Sequence, residues 1–275
     1  MGVFYEREYQ LTLVELVGAD LRLEAKLQAW EKLDIKFKVE KTSDASPNFA
    51  EFELFNLSEK SRSKFVSGQG ILFNAGYKDF KGQIFTGFID TFSHKKTDLD
   101  WVTKIKVIDG LKSLRDVHIS LSFGKEATEK TVVEAIAKKL KIDIGKINIK
   151  KPVKFNRGFN MTGWVKSNLD QFAVATESVW MILDNKLYFY PRDEVLNDGI
   201  KVPLLKPTSG IVGSPEPTEE GVKVKSLLNH EINIASAFKV ESREINGEYI
   251  STKLTHEGET AGSSWYTTIE GIFRA

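Results

Sequence analysis

Between residues 8 and 110 apolar and polar side chains alternate with a period of two, the spacing at which a strand buries one face and wets the other. Leu33, Ile35, Phe37 and Val39 share one side of the segment 33–40, and Ala50, Phe52 and Leu54 repeat the arrangement in 50–57. Partial alternation over 9–16 and further strand-like runs at 70–76, 83–91 and 101–109 raise the count to about six. Six short strands at such close spacing predict a small barrel or sandwich. Ser58 stands where it would cap a short helix running through Lys64, with Glu59 in the first turn.

From about residue 112 the period changes. Thr131-Val132-Val133-Glu134 fits a capping box, and Val132, Val133, Ile136, Ala137 and Leu140 fall on one helical face. Lys138, Lys139 and Lys141 follow, where the negative end of the helix dipole favours cations. Val165, Leu169, Phe172 and Ala173 predict a second helix over 162–178. Two aromatic-rich runs, 179–183 and 187–191, flank Asp184-Asn185-Lys186 and predict a hairpin. Pro203, Pro207, Gly210, Gly213, Pro215, Pro217 and Gly221 then mark a connector. Beyond it, 222–225, 232–234, 238–241, 249–254 and 266–269 alternate again, with turns expected at Asn246-Gly247 and Glu257-Gly258. The expected fold is mainly β with an α+β insertion: a β unit in 1–111, a helix-and-hairpin middle subdomain in 112–196, and a connector with a second β unit in 197–275.

At 275 residues the chain is long enough for two or three compact units, and 18 Phe with 5 Trp supply their cores. A formal net charge of +1 argues against primary nucleic-acid binding, which draws on a strong excess of Lys and Arg. Mixed charges such as those of 109–116 read as ordinary surface. The absence of cysteine excludes a disulfide framework and thiolate chemistry. No basic leader precedes an apolar stretch and no run of about 18 apolar residues occurs, so a cytoplasmic origin without a membrane span is expected.

Candidate chemistry is sparse. His94, His118, His230 and His256 are scattered, and the zincin-like opening His256-Glu257 has Thr260 where a second histidine is needed. His256 therefore reads as a polar residue beside a turn. Gly68-Gln69-Gly70 lacks the rest of a phosphate-binding loop. Glu216, Glu219 and Glu220 could supply a carboxylate pair, but in a breaker-rich connector they read as solvated turn residues. The aromatics Trp180, Tyr188, Phe189 and Tyr190 could stack on a sugar, although hairpin aromatics packed on the neighbouring helix are the simpler reading. No catalytic, cofactor-binding or metal residue is assigned, and no enzymatic activity is expected.

Several stretches, taken in order, resemble the baseplate central hub proteins of contractile-tailed bacteriophages and related contractile injection systems. They are 33–42, 50–58, 82–89, the connector Ser209-Gly210-Ile211-Val212-Gly213-Ser214-Pro215-Glu216-Pro217 continuing to Asn229, and the ending 254–260 with 265–270. The resemblance implies two tube-like β-barrels per chain and a homotrimer that imitates six-fold symmetry. Its implied partners are the tail tube protein, the central spike protein and other baseplate proteins, with genomic DNA passing through the lumen without specific binding. Its implied place is the virion tail baseplate, assembled in the host bacterial cytoplasm. Two other readings stand beside it: a six-fold tail-tube adaptor, and a tail-associated cell-wall hydrolase.

Overall fold

Among the described residues the first third folds as seven strands: β1 (Arg7–Val17), β2 (Arg22–Trp30), β3 (Ile35–Thr42), β4 (Phe49–Phe55), β5 (Gly70–Tyr77), β6 (Phe80–Lys96) and β7 (Trp101–Ile108). The computed structural model describes residues 6–17, 22–109, 117–153, 155, 157–191, 194–196 and 202–274, with backbone alone over 15–17 and 22–27. Most of the mixed-charge stretch 109–116, the first domain boundary and the start of the connector lie outside the described residues. Strand β2 is not announced by the alternation pattern. In β3, Ile35, Phe37, Val39 and Lys41 point inward while Lys36 and Lys38 point to solvent, so the buried phase carries one lysine. Helix α1 (Glu59–Arg62) lies between β4 and β5, and Ser58 accepts a hydrogen bond from the Ser61 amide, as its sequence predicts.

The middle of the chain holds β8 (His118–Phe123), α2 (Glu129–Leu140), β9 (Asp143–Ile147), β10 (Phe159–Trp164), α3 (Val165–Ala175), β11 (Ser178–Leu183) and β12 (Lys186–Pro191). Helix α2 starts one turn earlier than the Thr131 box predicts: Thr128 is the N-cap and accepts from the Thr131 amide. Starting there buries Val132 and Val133 in mid-helix. Lys141, in left-handed conformation, is the C-cap. The α3 boundaries are tighter than 162–178 because Phe159–Trp164 pairs with β8. Asp184 and Asn185, both at positive φ, form a two-residue turn with Leu183 facing Lys186, the geometry that matches the twist of paired strands.

The last third contains β13 (Leu204–Leu205), β14 (Glu216–Pro217), β15 (Gly221–Leu227), β16 (Ala237–Glu241), β17 (Asn246–Glu259) and β18 (Trp265–Phe273). Three expectations shift here. Asn246-Gly247 opens β17 and Glu257-Gly258 lies inside it, so the turns fall at 242–245 and 260–264. Segment 232–234 is a loop, not a strand; its alternation arises because Ile232 and Ile234 are buried in the core beneath it.

All but the middle strands join one sheet in the order β14-β15-β18-β17-β3-β4-β7-β6-β5-β1-β2, with β16 on β17 and β13 on β16. The fourteen-residue β17 is the common member. From Tyr249 to Gly258 it pairs with β18, while its other edge pairs first with β16 and then with β3, from Lys253–Thr42 to Glu259–Lys36. The fold is thus mainly β with few helices. The described ladders end at β2 and β14 and close neither unit into a barrel.

Three main cores lie around this sheet. The first combines Tyr9, Phe37, Phe52, Phe73 and Phe85 with Leu228 and Trp265 of the last third. The second belongs to α2, α3 and one face of the β11–β12 hairpin, through Trp180, Ile182, Leu187 and Phe189. The third sets the opposite face of that hairpin, Met181, Leu183 and Tyr190, against Val222, Val224, Phe238, Val240 and Ile269. One amphipathic hairpin therefore glues the middle subdomain to the C-terminal β unit.

Candidate assembly interface

The seam between the two β units is built on β17 and β3. Trp265 is 1% exposed in the N-terminal core, where its Nε1–H donates to the Gly76 carbonyl at 2.9 Å and its ring meets Phe37 edge-on at 5.1 Å. Gly258 lets both rings approach, since a Cβ there would lie 2.5 Å from Phe37 and 2.6 Å from Trp265. Arg7 donates to the carbonyls of Gly262 and Ser263 at 2.6 and 2.8 Å, tying β1 to the β17–β18 turn. The Ile35 amide donates to Thr260 Oγ1 at 2.9 Å, so Thr260 closes the end of the seam.

The solvent face of this seam carries a charge lattice fixed by the register. Reading across β17, β3, β4 and β7, one row is Glu257, Lys38, Glu51, Lys106 and the next is Glu259, Lys36, Glu53, Lys104. Each strand presents one sign and its neighbours the other. Lys104–Glu53 and Lys106–Glu51 approach to 2.6 and 3.0 Å. Exposed pairs of this kind contribute little stability singly, but a one-strand mispairing would set like charges opposite one another, which is unfavourable.

Beneath the seam lies a buried polar junction that no sequence motif marks. Lys41 and Asp109 are 2% and 1% exposed. The Asp109 carboxylate accepts from the backbone amides of Asp184 and Asn185, both at 2.8 Å, and from Asn48 Nδ2 at 3.2 Å. Consecutive amides of a left-handed turn form a concave anion seat, and Asp109 fills it. Lys41 Nζ reaches Asp184 Oδ1 at 3.4 Å and Asn233 Oδ1 at 3.3 Å. Burial, with the Asp184 carboxylate nearby, pushes the Asp109 carboxyl up to about 6, against the lowering influence of the Asn185 amide, Lys41 and Asn48. The one available signal was phase: Lys41 continues the inward set Ile35, Phe37, Val39, and Asp109 continues Ile105 and Val107.

The histidines do not converge. His256 lies inside β17 and is 1% exposed, its Nδ1 2.8 Å from Thr267 Oγ1. Burial, with Lys41 and His230 adding to it, lowers its pKa to about 3. It is a buried strand residue, not the turn-flanking residue expected, because β17 runs on to Glu259 and the turn begins only at residue 260. His230 packs on Gly82 and Phe80, His94 bonds Thr103, and His118 meets Trp164 edge-on. Among the described residues no cluster of three His, Asp or Glu could hold a metal. Glu216, Glu219 and Glu220 are exposed. Glu220 shares a cavity of about 370 Å³ with Asp44 and Glu194, where Glu194 is held by Lys146 at 2.5 Å. Trp180 and Phe189 are buried against α3 as the simpler reading held, Trp180 donating to Asp170 Oδ1 at 2.9 Å and Phe189 lying 5.6 Å from Phe172, whereas Tyr188 and Tyr190 pack on the C-terminal core and not on the helix.

No curated protein sequence matches the chain. Solved structures do. The 43 kDa tail protein of prophage MuSo2 from Shewanella oneidensis is 11% identical, with a TM-score of 0.66 over 97% of this chain and 98% of that one. The tail protein from Neisseria meningitidis MC58 gives 10% identity and a TM-score of 0.68 over 98% and 97%. The E. coli c3393 protein, a type VI secretion component with structural similarity to T4 bacteriophage tail proteins gp27 and gp5, gives 12% and 0.61 over 88% and 74%. At such identities the likeness is one of fold. The family model described as baseplate hub gp41 matches residues 16–271, so the chain belongs to the baseplate hub gp41 family and its role is a structural one in the phage tail baseplate.

Proposed function

We propose that this chain is the central hub subunit, three copies of which form a ring that presents six β units to the tail tube and a three-fold face to the central spike. The observation that carries this reading is the seam: β17 and β3 fuse two β units into one sheet within each chain. Three copies of such a double unit match a six-fold ring on one side and a three-fold body on the other. The division into 1–111, 112–196 and 197–275 serves that layout, with the β units as tube-like barrels completed between chains.

The free margin supports the same reading. Strand β2 pairs with β1 on one side only among the described ladders, and an open edge invites pairing with another chain. At the opposite end, residues 211–217 cover the outer edge of β15 through the Ile211–Ser226 bridge and the β14 ladder. One margin open and one guarded suits directional, head-to-tail contact that closes into a ring. Other baseplate proteins would dock outside it, and genomic DNA would pass through the lumen without specific binding. No described helix is long and apolar enough to cross a membrane.

The test is assembly. Purified chain mixed with its tail tube and spike proteins should yield, by light scattering and electron microscopy, a three-copy ring seated between them. A chain that stays monomeric in their presence, or forms a six-copy ring, overturns the proposal; the six-copy ring would establish the adaptor reading.

A further inference from the structure

The buried junction holds one amine within hydrogen-bonding reach of both a carboxamide and a carboxylate. Lys41 Nζ lies 3.3 Å from Oδ1 of Asn233 and 3.4 Å from Oδ1 of Asp184. Asn233 Oδ1 also accepts the Ile234 amide at 3.0 Å, and Ser251 Oγ donates to the Asn233 carbonyl. The carboxamide is thus anchored beside the amine, with a backbone donor already on its oxygen. Asp184 is fixed in turn because its amide is bound by buried Asp109.

We infer that Lys41 and Asn233 form an intramolecular isopeptide bond, with Asp184 relaying the proton and Asp109 positioning Asp184. In the first step the Lys41 ammonium gives one proton to the Asp184 carboxylate. The freed amine attacks Cγ of Asn233, forming the new C–N bond, and the charge that develops on Oδ1 is met by the Ile234 N–H, a preorganised donor of the kind that stabilises tetrahedral intermediates. Asp184 returns its proton to Nδ2, the attacking nitrogen sheds a second one to it, and the C–Nδ2 bond breaks. Ammonium leaves, the amide remains, and the Asp184 carboxylate is restored, so atoms and charge balance with no co-reactant. Holding nucleophile and electrophile in contact inside a folded core supplies the high effective concentration that lets a sluggish amide exchange proceed.

The consequence is structural. The bond would join β3 of the N-terminal unit to the 228–236 loop of the C-terminal unit across 192 residues of chain. A cross-link closing so long a loop restricts the unfolded chain strongly, and with no cysteine in the sequence a disulfide cannot serve. This inference does not depend on the ring proposed above.

The experiment is intact mass measurement of the purified full-length chain under denaturing conditions, followed by tryptic mapping. The expected result is a chain lighter than its sequence by one ammonia, with a branched peptide linking Lys41 to Asn233 and no cleavage after Lys41. Asn233→Ala and Lys41→Met should each restore the unmodified mass. Asp109→Asn, folded by circular dichroism, should leave most of the chain unlinked, an effect a merely structural role for Asp109 would not produce. A wild-type chain at full sequence mass overturns the inference whatever the variants do, and so does a chain lighter by one water, which would place the bond on Asp184.

Discussion

The two β units differ in how they fill their interiors. The N-terminal unit packs rings, with Phe73 meeting Phe37 at 4.8 Å and Phe52 at 4.7 Å. The C-terminal unit packs mainly aliphatic side chains and borrows Met181, Leu183 and Tyr190 from the middle subdomain. It also lends Trp265 and Leu228 to the N-terminal core. Each unit draws part of its core from outside itself, so the two units and the insertion are expected to unfold together.

The sharpest way to break that comparison is Trp265→Ala. Truncating a buried tryptophan costs roughly 3–5 kcal/mol, and here the loss falls on the unit that does not encode the residue. We expect one cooperative unfolding transition, shifted to lower temperature, with amide protection lost in β1 and β5 as well as in β18. Two separate transitions, with only the C-terminal one affected, would show the units to be independent.

A second test separates the seam from the polar junction by pH. His256 in the seam is held neutral to about 3 against an ordinary 6.5, so between those values the unfolded chain binds a proton that the folded chain refuses. Its contribution to stability is complete above 6.5 and is lost as pH falls. Asp109 acts in the opposite sense: folded at about 6 against 3.8, it takes up a proton before the unfolded chain does and adds stability as pH falls through that window. Melting temperatures recorded from pH 7 to 4 should therefore decline less for His256→Asn than for the wild type, and more for Asp109→Asn. Identical slopes for all three chains would contradict both assignments.

The smallest effect concerns the charge lattice. Lys38→Glu sets a third carboxylate between Glu51 and Glu257 and should cost about 0.5–1 kcal/mol. Adding Glu51→Lys should recover part of the loss in a denaturation series. A double variant no more stable than the single one would mean the alternation plays no part in setting the seam.

Much of this was legible in the sequence because period-two and period-3.6 patterns report local burial. The alternation of β3 and β4, the Ser58 cap, the α2 face and the Asp184-Asn185 hairpin all follow from neighbouring residues. The misses share a cause. In 232–234 the alternation came from a loop pressed on a core, and Asn246-Gly247 and Glu257-Gly258 carry turn chemistry inside a strand. Gly258 serves instead to admit Phe37 and Trp265, a demand made by a side chain from another strand.

By itself, then, the sequence determined the strand-rich class, the helical middle, the exclusion of thiol chemistry and the segment order that resembles baseplate hubs. Only the tertiary structure decided that β17 joins β3, that one hairpin serves two cores, and that Lys41, Asp109, Asp184 and Asn233 meet. The physical reason is distance along the chain: hydrophobic period fixes which face of an element is buried, but not which remote element buries it, and the polar junction exists only where four such elements converge.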